Sequence, residues 1–116
     1  MKNTTTLYRP VNAVELQLIK DLKFQAFPPR LPEQPFFYPV MNEAYATQIT
    51  KDWNVPTYGA GFVTQFEVET AYLQKFQVQN VGAAMHDELW VPAEELDEFN
   101  QHIVGKIEVT AAYGSD

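Results

Sequence analysis

Four prolines fall within the nine residues Phe27-Pro28-Pro29-Arg30-Leu31-Pro32-Glu33-Gln34-Pro35. Each removes a backbone donor and fixes φ, so neither a helix nor a strand ladder runs through the segment. It must be a stiff loop, of the kind that borders a pocket. The regular elements have to be built on either side of it.

Before the loop, residues 4–9 (Thr-Thr-Thr-Leu-Tyr-Arg) are β-branched and aromatic, which suits a strand closed by Pro10. Asn12 precedes Glu15 by three positions, a capping-box pattern with Asn in the cap role. Val14, Leu18 and Leu22 follow at helical spacing, predicting a helix to about residue 23.

After the loop, Phe36-Phe37-Tyr38-Pro39-Val40 predicts a second strand, with Pro39 marking an edge. Asn42 begins another helix, in which Tyr45, Ile49 and Trp53 recur every four residues. Residues 54–61 form a turn-rich break. Residues 62–68 alternate Phe62, Thr64, Phe66 and Val68 against Val63, Gln65 and Glu67, a half-buried strand. Residues 70–76 predict one helical turn and 77–81 a short strand.

Residues 88–91 predict the next strand. Pro92 then opens a helix whose first turn carries Glu94 and Glu95, where the dipole favours them, and whose apolar face is Leu96, Phe99 and Ile103, the last lying where helix and final strand compete. Residues 107–110 complete the sheet, and the tail from Tyr113 reads as frayed. The chain is thus expected to be a single α+β domain over 1–116, with a mainly antiparallel sheet and about three short helices.

Its 116 residues suffice for one ordinary core, and 46% apolar with 20% charged residues is globular composition. No apolar run reaches membrane-span length, and no apolar core follows Lys2 as in a signal peptide. The absence of cysteine excludes disulfides and thiolate metal sites and fits a cytoplasmic location. A net charge of −7 with scattered Lys and Arg argues against nucleic acid as the main partner.

Phosphate-loop glycine spacing is absent, the only serine is Ser115, and His86 and His102 lie far apart without neighbouring His or Cys. His102 reads as a cation at a helix C-terminus. Three features remain. Arg9 is either an edge-strand arginine paired with a carboxylate or a bidentate clamp on a pyrophosphate. Glu88 is either a rim carboxylate or a partner to an oxocarbenium-like ribose or acceptor for a ribose hydroxyl. Tyr38 is either a core aromatic with a surface hydroxyl or a ring that stacks on a base.

In order along the chain, Tyr8-Arg9, Phe36-Phe37-Tyr38-Pro39 and His86-Asp87-Glu88-Leu89-Trp90-Val91-Pro92 resemble the successive elements of the ADP-ribosyltransferases. Leu7-Tyr8-Arg9-Pro10-Val11, the Pro-rich loop, Asp52-Trp53-Asn54-Val55 and Pro92-Ala93-Glu94-Glu95-Leu96 are similar to small bacterial proteins labelled "ADP-ribosylation/crystallin J1". The resemblance implies an ADP-ribosyltransferase-like fold with NAD as substrate. It implies Glu88 and Arg9 as catalytic residues, and Tyr8, Arg9, Tyr38 and His86 around the nucleotide. The family's middle Ser-Thr-Ser is replaced by Tyr38-Pro39, and its first glutamate by His86. Two functions are therefore expected in competition: an NAD-dependent ADP-ribosyltransferase or glycohydrolase, and a non-catalytic nucleotide- or protein-binding module on the same fold. The first requires Arg9, Tyr38 and Glu88 to converge on one cleft beside the Pro-rich loop.

Overall fold

A computed structural model describes residues 3–80 and 86–114. The strand β1 (Thr4–Val11) pairs antiparallel along its whole length with β3 (Ala60–Glu69), Thr4 opposite Glu69 and Val11 opposite Phe62. The other edge of β3 pairs antiparallel with β7 (Ile103–Gly114), giving the order β1-β3-β7. Beyond β1, Val40 bridges Tyr8 on one side and Glu88 on the other. Glu88 belongs to β5 (Asp87–Leu89), which pairs with β4 (Val78–Asn80). A short ribbon joins β2 (Phe36–Phe37) to β6 (Val91–Pro92).

The three expected helices are present as α1 (Ala13–Asp21), α2 (Glu43–Ile49) and α5 (Leu96–Gln101). The Asn12 and Asn42 side chains cap the first two by accepting from Glu15 N and Tyr45 N at 2.8 and 2.7 Å. A 3-10 turn at Ala93–Glu95 leads into α5, and α4 (Thr70–Leu73) is the expected single turn. The chain is a mixed α+β structure with antiparallel sheets.

Several boundaries differ from the sequence reading. Pro10 does not close β1, because it stays in register opposite Val63. Tyr8 spends its N–H and C=O on Val40, on the side away from β3, and Pro10, two residues on, presents its donorless nitrogen to that same side. The expected strand through Tyr38 and Pro39 is reduced to β2 plus the Val40 bridge.

The residues expected to break after Asn54 instead continue α2 as a π-helix (Thr50–Asn54) and then as α3 (Val55–Tyr58). The wider π turn rotates the four-residue pattern, so Tyr45 is buried while Trp53 is 64% exposed. Tyr113 and Gly114 are strand rather than frayed tail. Val81, Ser115 and Asp116 lie outside the described residues.

Strand alternation divides the interior in two. Leu7 and Val11 of β1 face the larger core, with Ile19 of α1, Phe27, Phe37, Phe66, Val68, Leu89, Leu96 and Phe99. Phe27 packs on Phe37 and Phe66 at ring separations of 4.9 and 4.8 Å, and Phe37 packs edge-on against Phe99 at 5.4 Å. The opposite face carries a smaller cluster of Val40, Tyr45, Ala46 and Val63, against which Tyr8 packs. Buried positions on β3 change parity between Val63 and Thr64, where its pairing with β7 shifts register. A second shift lies between Gln65 and Glu67. The extra residues of both shifts lie on β7, while β3 stays in unbroken register with β1 and fills both cores by alternation, Phe66 and Val68 facing the larger and Val63 the smaller.

Candidate functional site

Arg9 follows Tyr8 on an extended strand, so the two side chains leave opposite faces of the sheet. Arg9 points into the larger core, where it is 8% exposed and its guanidinium lies 4.7 Å over the Phe37 ring. Its charge is already met. Nε and Nη2 donate to the two carboxylate oxygens of Glu15 at 2.6 and 2.9 Å, a bidentate pair aligned by the capped first turn of α1.

Glu88 belongs to the other face. Residues directly opposite each other across an antiparallel ladder share a face, and Val40 stands opposite both Tyr8 and Glu88. Glu88 is half-buried there, with Oε2 accepting from the Tyr45 hydroxyl at 3.0 Å and Oε1 from Trp90 Nε1 at 2.8 Å. Burial, with the hydrogen bond and charge of Glu88 added, pushes the Tyr45 hydroxyl up to about 12. His86 lies flat on the Tyr45 ring at 4.4 Å, its Nε2 2.9 Å from Gln48 Oε1.

Tyr38 is 36% exposed and forms a surface cluster with Phe36 and Trp90, every pair of ring centroids being 6.0 Å apart. Tyr8, half-buried beside Val40, has its hydroxyl raised above the ordinary tyrosine value, by burial first and then by the charges of Glu43 and Glu67.

The expected residues therefore separate into two places. Glu88, His86, Tyr38 and Tyr8 share one face, and Arg9 lies behind the sheet with Glu15. The convergence of Arg9, Tyr38 and Glu88 on one cleft is not found, because Arg9 stands one residue from the parity that would bring it there. The described cavities border neither Glu88 nor Tyr38.

Tyr45, Trp90 and Glu15 belong to these contacts without being singled out as site residues by the sequence. Trp90 carries a readable signal, since positions 86, 88 and 90 of an extended segment face the same way. Glu15 was visible as a cap residue but not as the partner of Arg9. Tyr45 left none, because its meeting with Glu88 depends on how α2 packs across the sheet.

The Pro-rich loop does border a groove, on the α1 side. Asn100 pins it by accepting from Phe27 N at 2.9 Å and donating to Phe27 O at 3.0 Å. No helix among the described residues is long and apolar enough to cross a membrane. In comparisons with known proteins, no family model, curated protein or solved structure matches the chain.

Proposed function

We propose that this protein is a non-catalytic binding module, built on an ADP-ribosyltransferase-like arrangement of elements, that takes a protein partner on the face of Glu88, Tyr38 and Trp90. The observation that carries this reading is the separation of Arg9 from Glu88. A phosphate clamp needs a guanidinium with free donors, and Arg9 gives two of its nitrogens to Glu15 from within the core. Glu88 has both oxygens engaged by neutral donors, which suits a fixed carboxylate at a contact surface.

Tyr and Trp are favoured at the centres of protein interfaces because they offer large rigid area with a polar end. Tyr38 and Trp90 are 36% and 39% exposed beside Glu88, on a chain of net charge −7. A partner presenting a cationic side chain, arginine above all, would stack on the rings and reach the carboxylate.

NAD transfer or hydrolysis remains the competing reading, supported by one observation. Tyr8 and Glu88 flank Val40 in a single row, a tyrosine and a half-buried carboxylate on one face.

One experiment separates the two. Indole and backbone NMR signals are followed while the protein is titrated with NAD, with ADP-ribose, and with short blocked peptides carrying either arginine or glutamate. The binding module shows shifts at Trp90 and Tyr38 with the arginine peptide, none with the glutamate peptide, and no nicotinamide. Nicotinamide release by the wild type that disappears in Glu88→Gln would replace this reading with the enzymatic one.

A further inference from the structure

A second feature lies on the α1 side of the Pro-rich loop. Between α1 and the Pro-rich loop lies a groove of about 220 Å³, bordered among others by Val14, Leu18, Pro29, Arg30, Leu31 and Gln34. Its lining is mixed and open to solvent: Val14, Leu18 and Leu31 are 71%, 43% and 56% exposed, and Asn12, Gln34 and Glu15 add polar groups, the Glu15 carboxylate being already paired with Arg9. At one point it is cationic.

Arg30 is half-buried and held by a single hydrogen bond, Nε donating to Phe36 O at 3.1 Å. Among the described residues no acceptor meets its two terminal nitrogens. Its pKa is lowered, chiefly by burial and then by the Arg9 charge, with Glu15 and Tyr38 acting the other way. Glu15 is committed to Arg9, so two guanidiniums share one carboxylate. One positive charge is left uncompensated in a partly desolvated place, where an anion is worth more than in open water.

We propose that this groove binds a small amphipathic carboxylate, with Arg30 taking the carboxylate through its terminal nitrogens and Val14, Leu18 and Leu31 receiving the apolar tail. The planar fork of Arg30, fixed at Nε by the backbone of β2, presents two parallel donors to two oxygens. The groove is smaller than the roughly 300–1,000 Å³ of sites for drug-sized ligands, which suits a short-chain acid better than a whole nucleotide. The prolines on the loop and the Asn100 clamp on Phe27 hold the wall in place before the ligand arrives, which lowers the ordering cost of binding.

The test is an NMR titration of the intact chain with hexanoate, acetate and hexylammonium as probes, reading the methyl signals of Val14, Leu18 and Leu31. Hexanoate should shift them saturably and bind at least about tenfold more tightly than acetate, with hexylammonium inactive. Arg30→Gln should weaken hexanoate by about tenfold or more, in line with loss of a charge-assisted bidentate contact, and Arg30→Lys should recover part of it.

If Arg30→Gln does not fold, Leu18→Asp decides, since it places a carboxylate on an exposed wall and should abolish hexanoate binding. Equal binding of hexanoate and hexylammonium, hexanoate affinity unchanged in both variants, or no saturable shift at all would overturn the proposal. None of these outcomes bears on the Glu88 face, whose probes act on other signals.

Discussion

The Tyr45 hydroxyl stands 3.0 Å from Glu88 Oε2 and ties α2 to β5 across the smaller core. Tyr45→Phe removes one donor and leaves Glu88 with Trp90, so the expected loss of stability is about 1 kcal/mol, read by denaturant unfolding. The same contact has a pH signature. The folded-state pKa of Tyr45 is raised to about 12 from an ordinary 10.0, so the native state holds its proton longer than the unfolded chain. The associated stability is fully present below pH 10 and is lost as pH climbs towards 12. Ultraviolet titration of Glu88→Gln should bring one tyrosine back towards its ordinary value, although burial, the largest cause, keeps part of the shift.

Arg9 and Glu15 form a partly buried ion pair whose removal is asymmetric, their side chains being 10% and 18% exposed. Glu15→Ala strands a core guanidinium and should cost about 3 kcal/mol, whereas the double change Arg9→Met with Glu15→Leu should recover most of it. Chemical denaturation of the two variants checks this, and equal losses in the single and double variants would contradict the pairing.

Asn100 holds the Pro-rich loop by both the N–H and the C=O of Phe27. Asn100→Ala should cost about 2 kcal/mol, because two backbone groups beside the core lose their partners. Amide exchange in residues 27–34 should rise more than in β3. Uniform exchange changes across the chain would show instead that Asn100 acts on global stability alone.

Lys23 and Phe24 leave α1 with φ of 60° and 59°, a left-handed pair that side chains adopt reluctantly. Phe24 is held there by its N–H to Ile19 O at 3.0 Å and by its carbonyl, which accepts from Ile107 N at 2.8 Å. Lys23 is exposed, so Lys23→Gly should raise stability by about 0.5–1 kcal/mol through relief of that strain. A thermal melt that falls instead would locate the effect in the unfolded chain's added freedom.

Periodicity made the helices at 13–21, 43–49 and 96–101 readable, and it made β3 readable as a strand. It also held the separation of Tyr8 from Arg9, since consecutive strand residues cannot share a face. What it did not hold was which of the two would look towards Glu88. Val40 settles that through two isolated bridges, and no local pattern in Phe36-Phe37-Tyr38-Pro39-Val40 fixes their register. Trp53 was misplaced for a similar reason, because a π turn is invisible to a four-residue count. The Pro-rich loop was legible as a wall, while the charge of Arg30 inside it became meaningful only once Glu15 proved to be taken by Arg9.

The two register shifts along β7 bear on how the molecule behaves in a crowd of its own kind. A twelve-residue strand at the border of a sheet is an invitation to a passing chain, and a flat one grows fibrils. Here the border is crooked at two places, and the outward donor of Ile107 is already spent on Phe24. A newcomer would find no long straight row of free amides to zip onto along the longest described strand.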